Sequence, residues 1–194
     1  AAGATGRLFL EKKLPHGAGI GGGSSDAAAM LRLLGGEAHA PALGADVPVC
    51  LCARAAHMRG VGERVEPLQN SLPFFAVLTN PGVHVATPEV FAALERKESP
   101  RMEPFPGETA GGMTWIKWLL SQRNDLEAPA IALAPEISLV LERMRQTPDV
   151  LLARMSGSGS TCFALYPTRK AAHIAAQSLQ VDHPDWLVVD TILS

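Results

Sequence analysis

A glycine-rich stretch near the start of the chain is the clearest candidate for chemistry. The run LPHGAGIGGGSSDAA packs five glycines into seven positions and continues with two serines and an aspartate. Glycine reaches positive φ at little cost and lets the backbone approach a ligand closely. The N-terminus of a helix adds unpaired N–H groups and a partial positive charge. The run therefore indicates an anion-binding loop that opens a helix; the alternative is a plain glycine turn with a serine cap.

This loop differs from the common nucleotide-binding motifs. A P-loop ends in Gly-Lys-Ser/Thr, whereas Gly23 is followed by Ser24. A Gly-x-Gly-x-x-Gly match begins at Gly17, but no acidic residue follows at the distance expected of a dinucleotide-binding fold. The loop thus predicts phosphate binding without naming the ligand.

Two further stretches place polar residues in turns. Asp46, in LGADVPVCL, precedes an apolar run from Val47 to Ala53 that we predict to be a strand. It is either a turn-capping residue or a functional carboxylate. Gly157 and Ser158 belong to a glycine loop, MSGSGSTCF, between two predicted strands. That loop is either a hairpin turn or a second nest of backbone N–H groups that supports a phosphate loop.

The first third of the chain predicts a strand, a helix and a hairpin. Arg7 to Leu14 alternates loosely and is predicted as a strand. Ser24 or Ser25 is expected to cap the helix that follows the glycine loop. The apolar face predicted for that helix, from positions i, i+3, i+4 and i+7, consists of Ala27, Met30, Leu31 and Leu34. GVGERVEPL predicts a polar hairpin.

From Phe74 onward the patterns predict the order β-α-α-β-β-α-β. This order fits an α+β sandwich with helices on one face of an antiparallel sheet. In ATPEVFAAL, Thr87 is the expected N-cap and Pro88 the first helical residue. Residues 99–112 are predicted to be a loop, and Pro129 and Pro135 to divide the next helical stretch. We place the domain boundary between residues 1–73 and 74–194.

The composition predicts a folded protein without nucleic-acid or membrane partners. The 194 residues are 47% hydrophobic and carry a formal net charge of −2. No apolar stretch approaches the roughly 20 residues of a membrane span, and we expect a cytoplasmic protein. The three cysteines, Cys50, Cys52 and Cys162, are predicted to be small buried hydrophobes rather than metal ligands.

Five stretches, in this order, resemble the GHMP kinase superfamily: LPHGAGIGGGSSDAA, LGADVPVCL, NPGVHVATPEVF, NDLEAPA and RMSGSGSTCFALY. They are most similar to the branch that phosphorylates a cytidine-diphosphate-linked methylerythritol on the non-mevalonate route to isoprenoids. The resemblance implies a two-domain α+β fold. Residues 1–73 would be the remainder of a ribosomal-S5-domain-2-like ATP-binding domain, and residues 74–194 a ferredoxin-like C-terminal domain.

The resemblance also implies a role for each motif. The γ-phosphoryl group of ATP would pass to the 2-hydroxyl of the cytidylyl methylerythritol, with Mg²⁺ bridging the phosphates. Asp46 would be the catalytic residue that accepts or orients the hydroxyl proton. The residues implied to hold the ATP phosphates are Pro15, Gly17, Ala18, Gly19, Ile20, Gly21, Gly22, Gly23, Ser24 and Ser25. Those implied to lie by the substrate are Thr87, Pro88, Phe91, Gly157 and Ser158; for the first three, the alternative is a helix N-terminus with one core aromatic.

The chain also departs from the family pattern. The family's lysine partner of the aspartate and its cytosine-binding aromatics would precede Ala1, so we expect that N-terminal part to be missing from this chain. Lys12 and Lys13 are predicted to form a solvated strand edge instead. The connection from Leu34 to Leu43 is short for the family. A monomer or homodimer is expected, and the alternatives in function are another GHMP small-molecule kinase or a non-catalytic nucleotide-binding fragment.

Overall fold

The computed structural model describes residues 6–12, 18–68, 73–96, 99–107 and 109–193. They fall into two compact units. The described residues of the first unit are 6–12 and 21–68, and those of the second are 18–20, 73–96, 99–107 and 109–193. Over this part of the chain, no helix is long and apolar enough to cross a bilayer.

The first unit is built from three helices and a hairpin. Its elements are α1 (Gly22–Leu34), a 3₁₀ turn (Glu37–His39), α2 (Ala40–Leu43), α3 (Val47–Cys52), β1 (Ala56–Arg59) and β2 (Arg64–Pro67). β1 and β2 pair antiparallel, so the predicted hairpin is confirmed. Ala28, Leu31, Ala40 and Val47 form the small buried core.

Helix α1 begins earlier than the sequence predicted. Gly21 takes the N-cap position at φ 65°, and no side chain caps the helix. Ser25 donates its N–H to the Gly21 carbonyl at 2.8 Å, which makes the predicted serine cap wrong. A glycine with positive φ turns the chain directly into the helix without a capping side chain. The buried face is also rotated, because Ala28 and Leu31 are buried whereas Leu34 is exposed.

The apolar run after Asp46 forms a helix instead of the predicted strand. In α3, Val47, Cys50 and Leu51 stand at i, i+3 and i+4 and pack into the core with α1. Pro48 lies in the first turn, where a fixed φ suits a helix and the missing N–H costs nothing. The short apolar run did not distinguish helix from strand because both periods fit so few residues.

The strand predicted for Arg7–Leu14 is absent from its described part. Residues 7–12 have no regular structure, and residues 13 and 14 lie outside the described residues. A strand requires a partner for its backbone N–H and C=O groups, and no described strand pairs with this segment.

The second unit is a four-stranded antiparallel sheet with five helices. Its elements are β3 (Phe74–Asn80), α4 (Thr87–Ala92), α5 (Gly112–Ser121), α6 (Glu127–Leu133), α7 (Glu136–Gln146), β4 (Leu152–Met155), β5 (Cys162–Tyr166), α8 (Arg169–Asp182) and β6 (Leu187–Leu193). The strand order is β4-β5-β3-β6. Pro135 separates α6 from α7 as predicted, whereas Pro129 lies within the first turn of α6.

Both faces of this sheet are buried, which corrects the prediction of helices on one face only. The main core joins Val77 of β3 to α7 and α8. On the opposite face, Ala76 packs with Ile116 of α5, a helix that the sequence patterns did not predict. Successive residues of a strand point to opposite faces, and both Ala76 and Val77 are fully buried. β3 therefore needs a cover on each side.

Candidate active site

The start of α1 provides the geometry expected of an anion site. Because Ser25 makes the first helical hydrogen bond, the N–H groups of Gly22, Gly23 and Ser24 are not used by the helix. Such groups and the helix dipole favour a bound anion. Pro15 and Gly17, also predicted to bind phosphate, lie outside the described residues.

Lys12 adds a positive charge beside this helix start. Its ammonium forms an ion pair with Asp26 of α1. It also lies 3.7 Å from the position that a Cβ on Gly22 would occupy. The side chain is only 24% exposed, so the prediction of a solvated edge is wrong for Lys12. Lys13 lies outside the described residues.

Asp46 presents an exposed carboxylate at the first residue before α3. No cap hydrogen bond forms from its side chain, so the capping alternative is not seen. Burial raises the pKa of the neighbouring Cys50 thiol, a hydrogen bond with Ser25 lowers it, and the Asp46 charge raises it further. Ser25 and Asp46 therefore both act on one thiol, which places the end of the glycine loop near the predicted catalytic residue within the first unit.

Residues 18–20 of the first glycine loop belong to the second unit. There they are hydrogen-bonded to residues 156–161, which contain the second glycine loop and are called the late glycine loop from here on. The Ser156 hydroxyl donates to the Gly19 carbonyl at 3.0 Å, and the Thr161 N–H donates to the Ala18 carbonyl at 3.1 Å. Gly19 has φ +72°, and a Cβ there would lie 2.7 Å from the Ser156 carbonyl oxygen and closer still to that of Gly159. Only glycine fits this close approach.

Two asparagines that were not predicted as site residues donate hydrogen bonds to the late loop. Asn80 is buried and its amide donates to the Thr161 hydroxyl at 2.9 Å. Asn124 donates to the carbonyls of Met155 at 3.2 Å and Gly157 at 2.8 Å. Both asparagines lie in stretches that carry the family resemblance. Asn80 is the last residue of β3 and Asn124 lies three residues before α6; an amide side chain at the end of a buried strand or just before a helix is the signal that could have identified them.

The predicted substrate residues of α4 share a surface with the late loop. Thr87 is the first helical residue rather than the N-cap, which is Ala86. Its hydroxyl hydrogen-bonds with that of Ser158 at 2.8 Å. Phe91 is 53% exposed, whereas the neighbouring Val90 is fully buried. Phe91 is therefore not the core aromatic of the alternative interpretation; Pro88 is likewise exposed.

The cysteines differ from one another in burial. Cys162 is buried, as predicted, and burial raises the pKa of its thiol to about 12. Cys50 and Cys52 are only half-buried. Within the described ranges, no group of three or more His, Cys, Asp or Glu side chains is arranged to hold a metal ion.

Comparison with known proteins identifies the family. The model of the GHMP kinase N-terminal domain matches residues 2–62, and that of the GHMP kinase C-terminal domain matches residues 112–182. A 4-diphosphocytidyl-2-C-methyl-D-erythritol kinase from Dinoroseobacter shibae is 52% identical, with 97% of this chain and 68% of the relative covered. The chain belongs to the 4-diphosphocytidyl-2-C-methyl-D-erythritol kinase family of GHMP kinases. It is a small-molecule kinase.

Solved structures agree with this membership. A crystal structure of a 4-(cytidine 5'-diphospho)-2C-methyl-D-erythritol kinase superimposes with a TM-score of 0.75 at 36% identity, covering 95% of this chain and 69% of that chain. A homoserine kinase from Cytophaga hutchinsonii reaches a TM-score of 0.62 at 18% identity, covering 94% of this chain and 68% of that chain. The second likeness shows that the fold is that of the GHMP kinases. The α+β, two-domain fold class predicted from sequence is thereby confirmed.

Proposed function

We propose that this GHMP kinase transfers the γ-phosphoryl group of ATP to the 2-hydroxyl of 4-diphosphocytidyl-2-C-methyl-D-erythritol, in the non-mevalonate synthesis of isoprenoid precursors. The observation that carries this proposal is the 52% identity, over nearly all of this chain, to a relative of that name. The exposed Asp46 and the free N–H groups at the start of α1 supply the side chain and the backbone groups that phosphoryl transfer needs.

The ATP phosphates are proposed to bind along residues 15–25. At Gly22, Gly23 and Ser24 the backbone N–H groups and the helix dipole favour the negative charge. The Lys12 ammonium stands beside Gly22 and partly offsets that charge. Phosphoryl transfer is catalysed mainly by positioning and by stabilising charge on the transferred group, and both contributions come from fixed backbone at this helix start.

Asp46 is proposed to accept or orient the proton of the substrate hydroxyl. It is exposed, and neither a hydrogen bond nor an ion pair engages its carboxylate within the described part of the chain. A carboxylate without a protein partner is free to accept a proton from a substrate hydroxyl. The donors near the loop are the carboxylates of Asp26 and Asp46 and the hydroxyls of Ser24 and Ser25, and Asp26 is already paired with Lys12. Such a set suits Mg²⁺ that arrives with the ATP phosphates rather than a cage made by the protein. When bound, Mg²⁺ would neutralise phosphate charge.

The substrate is proposed to contact α4 and the late loop. Phe91 offers an exposed aromatic ring on which a pyrimidine base can stack. The hydroxyls of Thr87 and Ser158 lie 2.8 Å apart and can each exchange a hydrogen bond with a polar ligand. Pro88 and Gly157 border the same surface and keep it free of bulky mobile side chains.

A panel of alcohols tests this proposal. The complete protein is purified and given Mg²⁺-ATP with the cytidylyl methylerythritol, homoserine or mevalonate, and ADP release is measured. We expect turnover of the cytidylyl substrate alone, and an Asp46→Asn variant slower by about 10² or more. Asp182→Asn, which changes an exposed aspartate at the end of α8, serves as the matched control. Preference for homoserine or mevalonate would overturn the assignment of substrate.

A further inference from the structure

A cavity in the second unit lies apart from the residues assigned to catalysis. Its volume is about 480 Å³, within the range of small-molecule sites. Residues from α6, α7 and β4 and from the segment before α6 line it. Three arginines and one carboxylate supply all its charge among the described residues: Arg123, Arg145, Arg154 and Glu127.

Arg154 is the arginine of this lining that has no ion-pair partner among the described residues. It is half-buried, and its Nη2 donates to the Gln122 carbonyl at 2.8 Å. No described carboxylate forms an ion pair with it. Burial lowers the pKa of this guanidinium, and the charge of Glu127 opposes that effect. A charge withdrawn from water is costly unless it is paired, so this position favours an anion.

The single carboxylate of the described lining, that of Glu127, already interacts with the Met155 N–H and with Arg145. Glu127 accepts the Met155 N–H at 3.2 Å through Oε2, and its Oε1 lies 3.9 Å from Nη2 of Arg145. Arg123 pairs with Asp125 at 2.7 Å, yet Asp125 does not line this cavity. Three cations thus face one carboxylate, or two if Asp125 is included. The cavity keeps a positive excess either way.

We propose that this cavity is a second anion site, which binds a phosphate- or diphosphate-bearing metabolite. Guanidinium groups match phosphate oxygens in charge and in hydrogen-bond geometry. The volume accommodates a diphosphate with part of the group that it carries. This inference does not depend on which alcohol the enzyme phosphorylates.

The site is connected to the late glycine loop by direct contacts. Asn124 lines the cavity and donates to the Met155 and Gly157 carbonyls. Arg154 stands two residues before Ser156, which holds Gly19. An anion that orders Arg154 and the residues around Asn124 therefore acts on the same backbone that positions the loop, which gives the site a route to influence substrate binding.

Calorimetric titration with inorganic diphosphate tests the proposal. The protein is first saturated with a non-hydrolysable ATP analogue, so that the phosphate loop is filled. We expect one diphosphate-binding event that Arg145→Gln weakens about tenfold, the scale of one charge-assisted hydrogen bond. Arg154→Met is expected to abolish it. The matched control is Arg143→Gln, an exposed arginine of α7 outside the cavity lining, which should change the affinity less than about twofold.

Three outcomes would overturn the inference. One is no binding at millimolar diphosphate in low salt, and another is binding that the ATP analogue removes, which would place the anion at the phosphate loop. The third is equal weakening by Arg143→Gln and Arg145→Gln, which would indicate general attraction to a basic surface. If Arg154→Met fails to fold, Arg145→Gln still decides the question, because that side chain is 57% exposed.

Discussion

Replacing Gly19 by alanine tests whether residues 156–161 hold residues 18–20 in place within the second unit. The added Cβ would meet the backbone carbonyl oxygens of Ser156 and Gly159 at distances that real side chains do not show. Backbone cannot move aside as a flexible side chain can. We therefore expect the Gly19→Ala variant to separate the segment 18–20 from residues 156–161.

The magnitude follows from backbone strain and from the two hydrogen bonds that this separation breaks. A left-handed conformation costs a non-glycine residue roughly 1–2 kcal/mol. The two hydrogen bonds, Ser156 Oγ–H to the Gly19 carbonyl and Thr161 N–H to the Ala18 carbonyl, contribute about 1 kcal/mol each. The attachment should be weakened by about 3 kcal/mol in all, which corresponds to a change on the order of a hundredfold in its opening equilibrium.

Amide hydrogen exchange measures this opening directly. The Thr161 N–H is protected only while it donates to Ala18, so its exchange in Gly19→Ala should accelerate on the order of a hundredfold. Gly23→Ala is the matched control, because a Cβ there meets nothing within 4 Å and alanine favours a helix by up to about 1 kcal/mol. Exchange of Thr161 in Gly19→Ala within about threefold of the unmodified protein would refute the reasoning.

Three further predictions concern Asn124, Phe91 and Cys162. Asn124→Ala leaves the Gly157 and Met155 carbonyls without their donor and should lower the free energy of unfolding in urea by about 2 kcal/mol; an unchanged urea midpoint would contradict this. Phe91→Ala should raise the KM for the cytidylyl substrate while changing the unfolding free energy by less than about 0.5 kcal/mol, whereas the same change at the buried Val90 should cost about 2 kcal/mol; equal stability losses would argue against an exposed binding role. The raised pKa of Cys162, about 12 against an ordinary 9.0, means that the folded state keeps a proton that the unfolded state releases. The buried thiol's contribution to the free energy of unfolding is therefore full below pH 9 and is lost as the pH rises toward 12. In urea titrations above pH 9, the free energy of unfolding should fall less steeply with pH in Cys162→Ala than in the unmodified protein.

Local patterns predicted much of the second unit because its elements are long or clearly bounded. Phe74–Asn80 is an apolar run that ends at an Asn-Pro-Gly turn, and Arg169–Asp182 follows the capping residue Thr168; both belong to the element order predicted from Phe74 onward. The strand pair around the late glycine loop was also predicted, because glycines separate two apolar runs. The helix Gly112–Ser121 was not predicted, because a run of prolines and glycines precedes it and hides its start.

The secondary structure of short apolar runs, and the partners of individual side chains, depended on contacts with residues distant in the sequence. Val47–Cys52 became a helix because its i, i+3 and i+4 residues pack with α1. Lys12 is charge-paired instead of solvated because Asp26 comes within reach once α1 forms. Asn80 and Asn124 form their hydrogen bonds to Thr161 and Gly157 only because folding brings these residues, which are distant in the sequence, close together.

The sequence by itself determined the family, the prediction that the glycine loop binds an anion and the candidacy of Asp46. Each of these depends on residue types at short spacing, which the chain carries in any conformation. Only the tertiary structure decided that Gly19 must be glycine, that Phe91 is exposed, and that Arg154 stands half-buried with no ion-pair partner among the described residues. Each of those depends on atoms distant in sequence, and folding alone brings such atoms within a few ångströms of one another.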